Sequence, residues 1–171
     1  MNSAARTAGD AFARCRWRSP LGTILLEASA RGLRGVWFEG QKHGPDASHW
    51  PSRSSDPVIR QAIEELQEYF AGQRKRFDTP IDSTLGTEFQ RAVWKALRRI
   101  PSGRTTTYGE LARRIGRPTA VRAVASAIGR NPVSIMVPCH RIIGSDGSLT
   151  GYAGGLERKA SLLSLEQSAR Q

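Results

Sequence analysis

The period of the apolar positions changes along the chain. Between Ala13 and Phe38 short apolar runs alternate with turn residues. Pro20-Leu21-Gly22 leads into Thr23-Ile24-Leu25-Leu26-Glu27, and Arg31-Gly32 leads into Leu33-Arg34-Gly35-Val36-Trp37-Phe38. That pattern predicts antiparallel strands in a hairpin arrangement. Gly40 to Ser55 is polar and turn-rich, a surface loop. The period then lengthens: Ile59, Ile63, Leu66 and Phe70 recur at helical spacing, with Asp56 as N-cap, Pro57 at the first helical position and Gly72 as the stop. Residues 1–11 read as a loose tail, and Pro80 to Leu85 as a linker between two domains.

Beyond the linker the chain is mostly of helical period. Phe89, Val93, Leu97 and Ile100 form one apolar face, opened by a capping box at Thr87-Glu88-Phe89-Gln90 and stopped by Pro101-Ser102-Gly103. A second box, Thr107-Tyr108-Gly109-Glu110, opens a short helix through Leu111 and Ile115 to Gly116. Thr119 is expected to cap the next helix, Ala120 to Ile128, which Gly129 ends. Two short helices joined by a few residues that include a glycine are a helix-turn-helix pattern. The expected fold is therefore a two-domain α/β protein. A small N-terminal α/β domain (residues 12–80) has antiparallel strands plus a helix; a mainly helical C-terminal domain (residues 84–167) carries the helix-turn-helix. Trp37 and Trp94 read as core residues, and His43 and His49 as surface-loop residues.

Composition narrows the function classes. The chain has 171 residues, 39% of them apolar, and no apolar run reaches the roughly 20 residues that span a bilayer. The first 18 residues lack the apolar stretch of a secretory signal, so the expectation is a cytoplasmic protein with no membrane partner. Two cysteines, Cys15 and Cys139, are no disulfide framework and should be free thiols. The net charge is +11 and it is uneven: residues 1–80 carry 12 Lys/Arg against 9 Asp/Glu, residues 81–171 carry 14 against 6. That excess suits a polyanion-binding surface on the C-terminal half, and arginines at 113, 114, 117, 122 and 130 decorate the helix pair. The second helix offers one long polar side chain, Arg122, amid alanines and valines. So thin a helix can approach a narrow groove but reads little sequence.

The chemistry concentrates in Asn131 to Gly144, an apolar, strand-like segment that ends in Pro138-Cys139-His140-Arg141. Cys139 is either an inert small hydrophobe or, with His140 beside it, an activated thiol. Neighbours in a strand point opposite ways, so the segment must turn at Cys139 for the pair to cooperate.

These residues resemble the O6-alkylguanine-DNA alkyltransferase family. Pro138-Cys139-His140-Arg141 within Asn131 to Ile143, followed by Gly151-Tyr152-Ala153-Gly154-Gly155, carries the resemblance. Thr87 to Ile100, Thr105 to Ala112 and Arg122-Ala123-Val124 match in order and spacing; the N-terminal half matches loosely through Ser19 to Gly22 and Tyr69 to Gly72. The resemblance implies that Cys139 accepts an alkyl group from O6 of guanine (also O4 of thymine) in double-stranded DNA, once and irreversibly. It implies His140 as the base acting through a water molecule, Glu166 as the carboxylate that orients it, and Asn131 as the holder of the turn. Tyr108 would donate to guanine N3, and Arg122 would fill the gap left by the flipped nucleotide, with Thr119, Ala120 and Ala123 beside it on the DNA. Met136, Val137, Tyr152, Ala153 and Gly154 would contact the flipped base. No metal or cofactor is expected: Cys15, His43 and His49 are too few and badly spaced for the zinc site of some relatives. The protein is expected as a monomer that could assemble cooperatively on DNA.

Three alternatives stand beside this reading. A non-catalytic alkylated-DNA lesion-binding protein would lack the acceptor cysteine. A plain helix-turn-helix regulator would carry polar base-reading residues between Ala120 and Ile128. A cysteine hydrolase would need an oxyanion hole and a hydrolysable thioester.

Overall fold

A computed structural model describes residues 12–170; the expected tail at residues 1–11 lies outside the described residues. Strands β1 (Ala13–Ser19), β2 (Gly22–Ser29) and β3 (Gly32–Phe38) form an antiparallel meander in the order β1-β2-β3. Each turn the sequence marked closes one strand pair, with Ser19 opposite Gly22 and Ser29 opposite Gly32. One face of the sheet buries Cys15, Ile24, Leu26, Val36 and Phe38. Helix α1 (Pro57–Phe70) packs on the sheet, burying Ile59, Ala62, Leu66 and Tyr69. The Asp56 carboxylate accepts from Val58 N and Ile59 N, as the Asp-Pro start requires. Trp37 departs from expectation. It lies half-buried outside the core, against Trp50 (ring centroids 6.3 Å apart) and over Gly35, where a Cβ would sit 1.7 Å from its ring. Alternation along β3 turns Val36 and Phe38 inward and so sends Trp37 outward.

The predicted linker is pinned to β3 over its first three residues. Leu33 N donates to Pro80 O and Asp82 N to Leu33 O (both 2.8 Å). Buried Asp82 accepts from Ser29 Oγ at 2.7 Å.

Helix α2 (Glu88–Leu97) starts with both halves of its capping box, Gln90 N to Thr87 Oγ1 and Thr87 N to Gln90 Oε1. The two-residue strand β4 (Thr106–Thr107) runs into helix α3 (Tyr108–Arg114). Thr107 caps α3 by accepting from Glu110 N, but the second box is only half made, because the Glu110 carboxylate turns to Arg113 and Arg114. Helix α4 (Val121–Gly129) follows and packs on both α2 and α3. Thr119 does not cap it. A turn from Arg117 O to Ala120 N makes Ala120 the capping position, so Thr119 falls one residue too early and is exposed.

The segment expected as strand-like is mostly not a strand. Asn131 to Pro138 folds back on itself through Val137 N to Val133 O and Met136 N to Ser134 O, with Ile135 at φ 71°. A β-branched residue rarely adopts that left-handed region, and holding it there costs about 1–3 kcal/mol. Only β5 (Ile142–Ile143) is extended, paired in parallel with β4. Upstream, Val36 N donates to Pro132 O and Ser134 N to Val36 O, which ties the segment to the edge of β3. Helix α5 (Leu156–Ser168) closes the chain and buries Lys159, Leu162 and Glu166. No helix among the described residues is long and apolar enough to cross a membrane.

Candidate active site

Cys139 to Arg141 is one turn of 3-10 helix, the turn that the Cys-His pair needs. Asn131 braces it: Nδ2 donates to Val137 O (2.8 Å) and Oδ1 accepts from Val133 N (2.9 Å). Cys139 is 7% exposed, and burial pushes its thiol pKa up. A hydrogen bond from Asn131 and the positive charge of Lys159 work against that rise.

Behind the thiol lies a buried hub on Glu166. Its Oε1 lies 2.6 Å from His140 Nε2 and accepts from Tyr69 Oη and Arg141 Nη2, both at 2.8 Å. Its Oε2 accepts from Arg141 Nε at 3.0 Å, so the guanidinium grips the carboxylate with two bonds. These donors hold the Glu166 pKa well below the ordinary carboxylate range in spite of burial. Burial likewise lowers the pKa of His140, against the pull of Glu166. With Nε2–H donating to Glu166, the neutral ring carries its lone pair on Nδ1, which has no protein partner among the described residues. The hub thus holds an imidazole in the tautomer of a base.

Both shifts set a pH dependence of stability with one sign. The unfolded chain takes up protons at His140 below about pH 6.5 and at Glu166 below about pH 4.3, where the folded protein does not. The stability that these two groups contribute is therefore full above about pH 6.5 and is lost in two stages as the pH drops. Denaturant melts from pH 7.5 to 4 should show the midpoint falling throughout; a flat or rising midpoint would contradict the buried neutral imidazole.

The thiol opens into a cleft of about 340 Å3, near the lower end of the small-molecule range of roughly 300–1,000 Å3. Of the residues picked from the sequence, Cys139, Asn131, Tyr108, Tyr152 and Ala153 line it together. Tyr108 Oη stands 3.4 Å from Thr150 Oγ1 at the mouth. Met136, Val137 and Gly154 do not line it. The fold-back at Ile135 turns Met136 and Val137 toward two other cavities, and Gly154 is buried against Phe38 and the ring of Tyr152. Arg122 and Ala123 are exposed on α4, whose Ala125, Ile128 and Gly129 form one wall of the cleft.

Other contributors escaped the sequence reading. Lys42 and His43 come from the loop after β3, with Lys42 N donating to Ala153 O at 3.1 Å. Lys159 is fully buried, and its Nζ donates to Thr150 O (2.7 Å) and Gly151 O (3.3 Å), fixing the far wall. Tyr69 and Arg141 complete the Glu166 hub. Lys159 has one legible signal, a lysine at the inward position of α5 in register with Leu162 and Glu166.

Fold and site together define a protein that presents one cysteine thiol in a cleft beside a basic helix-turn-helix. Family models agree. The one described as "6-O-methylguanine DNA methyltransferase, ribonuclease-like domain" matches residues 17–83, and the one described as "6-O-methylguanine DNA methyltransferase, DNA binding domain" matches residues 88–168. A methylated-DNA–protein-cysteine methyltransferase of Methanosarcina acetivorans is 48% identical over 153 residues, 89% of this chain and 96% of that protein. The Mycobacterium tuberculosis protein of the same name is 46% identical over 151 residues, 88% of this chain and 89% of its own. The crystal structure of the M. tuberculosis O6-methylguanine methyltransferase superposes with a TM-score of 0.82 at 43% identity, covering 92% of this chain and 94% of that one. That of M. tuberculosis OGT in complex with DNA gives 0.79 at 44%, covering 92% and 93%. The chain belongs to the 6-O-methylguanine DNA methyltransferase family.

Proposed function

We infer that this protein repairs DNA by direct reversal, transferring an alkyl group from O6 of guanine, and also from O4 of thymine, to Cys139. The observation that carries the reading is the 340 Å3 cleft in which Cys139, Asn131 and Tyr108 meet in front of the His140–Glu166 pair. The thiol proton passes through a water molecule to His140 Nδ1, and Glu166 stabilises the imidazolium that forms. The thiolate attacks the alkyl carbon in line; the S–C bond forms as the C–O6 bond breaks, and guanine takes the electron pair. Tyr108 Oη donates to guanine N3 and offsets the developing charge. A thioether offers no leaving group to water, so each protein molecule acts once. No cofactor enters any step.

The lesion must leave the duplex to reach the cleft, because Cys139 is buried. The exposed side of α4, with Ala123 and the preceding Thr119 and Ala120, lies against the DNA, and Arg122 takes the place of the flipped nucleotide. The protein works as a monomer in the cytoplasm with access to the nucleoid, and neighbouring copies pack cooperatively along DNA. The division at residues 80–84 separates a supporting domain, 12–80, from the reacting domain, 84–167.

Arg122→Ala should slow repair of O6-methylguanine in duplex DNA by about tenfold or more while leaving reaction with free O6-benzylguanine within about twofold, since extrusion costs a few kcal/mol. Single-turnover rates on both substrates check this; equal losses would move Arg122 out of the flipping role. DNA affinity should fall steeply between 50 and 200 mM salt, on the order of tenfold or more, through counterion release.

A further inference from the structure

A second cavity, of about 540 Å3, lies across the active-site segment and shares no lining residue with the Cys139 cleft. Ser134 and Cys139 face the cleft, whereas Ile135, Met136, Pro138 and Arg141 line the second cavity. The segment is the wall between them.

Four further cations stand on this cavity. Lys75 and Arg76 come from the turn after α1, and Arg98 and Arg99 from the end of α2. None of these four side chains has an ion-pair partner among the described residues. Arg141 differs, with its guanidinium committed to Glu166 and the Ile100 carbonyl. The single carboxylate on the lining, Asp78, is engaged by Arg74 at 3.3 Å. The other lining side chains are apolar except Ser102: Phe77, Ile100, Pro101, Ile135, Met136 and Pro138.

Like charges gathered on one concavity repel one another, and little on the lining offsets them, since its one carboxylate, Asp78, already pairs with Arg74. A ligand with phosphate groups would, and the arginine fork fits phosphate oxygens with two bonds. Guanidinium planes also stack on aromatic rings, and an apolar floor favours a planar base over water. The volume lies within the range of single-ligand sites. A duplex with its bases stacked presents a convex row of phosphates and offers no base to such a hollow.

We propose that this cavity binds a nucleoside phosphate, its phosphates on Arg98, Arg99, Lys75 and Arg76 and its base on the Phe77–Met136–Pro138 floor. The same chemistry is offered by a free nucleotide and by the 5′-phosphorylated end of a DNA strand.

Isothermal titration of the full chain at constant ionic strength tests the proposal, with ATP, sodium pyrophosphate and a 5′-phosphorylated deoxyadenosine trinucleotide as probes. Adenine probes avoid the guanine and thymine chemistry of the Cys139 cleft. We expect one ATP per chain with a dissociation constant below about 1 mM, and pyrophosphate at least about tenfold weaker. Arg98→Ser/Arg99→Ser, at two exposed positions, should weaken ATP binding by about tenfold or more. The charge-matched control Arg53→Ser/Arg60→Ser should leave it unchanged. If the trinucleotide binds at least as tightly as ATP, the strand end is the natural source; if ATP binds more tightly, the free nucleotide is. Absence of binding by both, equal binding of pyrophosphate, or equal losses in the two double variants would overturn the proposal.

Discussion

Cys139→Ala should abolish alkyl transfer, a fall on the order of 10^4-fold or more, while affinity for methylated duplex DNA stays within about twofold. The reacting thiol and the DNA-facing side chains sit on different parts of the molecule. Cys139 is buried at the back of the cleft, whereas Arg122, Thr119 and Ala123 are exposed on the helix pair. Trimming a sulfur to a methyl group leaves a small void and costs about 1 kcal/mol, too little to disturb α3 or α4. The other thiol is the internal control. Cys15 lies in β1 within the sheet core, away from the cleft lining, so Cys15→Ala should retain transfer. Single-turnover assays with quenched time points measure both variants. Residual transfer by Cys139→Ala at more than about one part in a hundred of the wild-type rate would contradict the nucleophile assignment.

Glu166→Ala should be the most destabilising single change in the molecule, by about 3–5 kcal/mol. It removes the acceptor of five donor groups at once: His140, both arms of Arg141, Tyr69 and the backbone N–H of Gly103. At 5% exposure Arg141 has little water to replace the carboxylate. Breaking one side of a buried pair is costly for this reason, whatever the pair's own net contribution. For a chain of this size the loss lowers the melting temperature by about 10–15 °C. Glu166→Gln should lose less, because the amide oxygen still accepts from Arg141. The two variants also separate folding from chemistry: Glu166→Gln weakens the partner that stabilises the imidazolium, so transfer should slow even at temperatures where the protein is folded. Guanidinium melts of both variants decide the matter. A loss under about 1 kcal/mol for Glu166→Ala would mean that the hub carries no structural weight.

The parts of this architecture written in short-range signals were legible in the sequence. Asp56-Pro57 and the Thr87–Gln90 box start helices because the capping atoms lie within three residues of the groups they satisfy. The same reasoning failed at Thr119, where the turn from Arg117 to Ala120 moved the helix start by one residue. It also failed for the second half of the Thr107 box, where two arginines outcompete the backbone for Glu110. Apolar composition alone predicts a strand-like segment from Asn131 to Gly144. The positive φ at Ile135 is set by Asn131 and by pairing with Val36, partners that the local sequence does not announce.

The site divides in the same way. The Cys-His pair is visible as neighbours in the chain, and Asn131 as a turn residue before proline. Glu166 reads on its own as a solvated helix charge; only the family resemblance promoted it, and its burial depends on Arg141, Tyr69 and His140 arriving from elsewhere in the chain. Tyr69 reaches it from α1 in the N-terminal half, a contact spanning 97 positions. Lys42 and His43 reach the cleft from a loop whose composition signals only exposure.

The central claim, a single irreversible transfer to Cys139, is tested most directly by mass spectrometry of the protein after incubation with excess O6-methylguanine duplex. Repair should stop when methyl groups removed equal protein molecules supplied, with one methyl group replacing one hydrogen on every chain. Peptide mapping should place that group on Cys139 and none on Cys15. Repair continuing past one lesion per chain, or a methyl group found anywhere but Cys139, would contradict that claim.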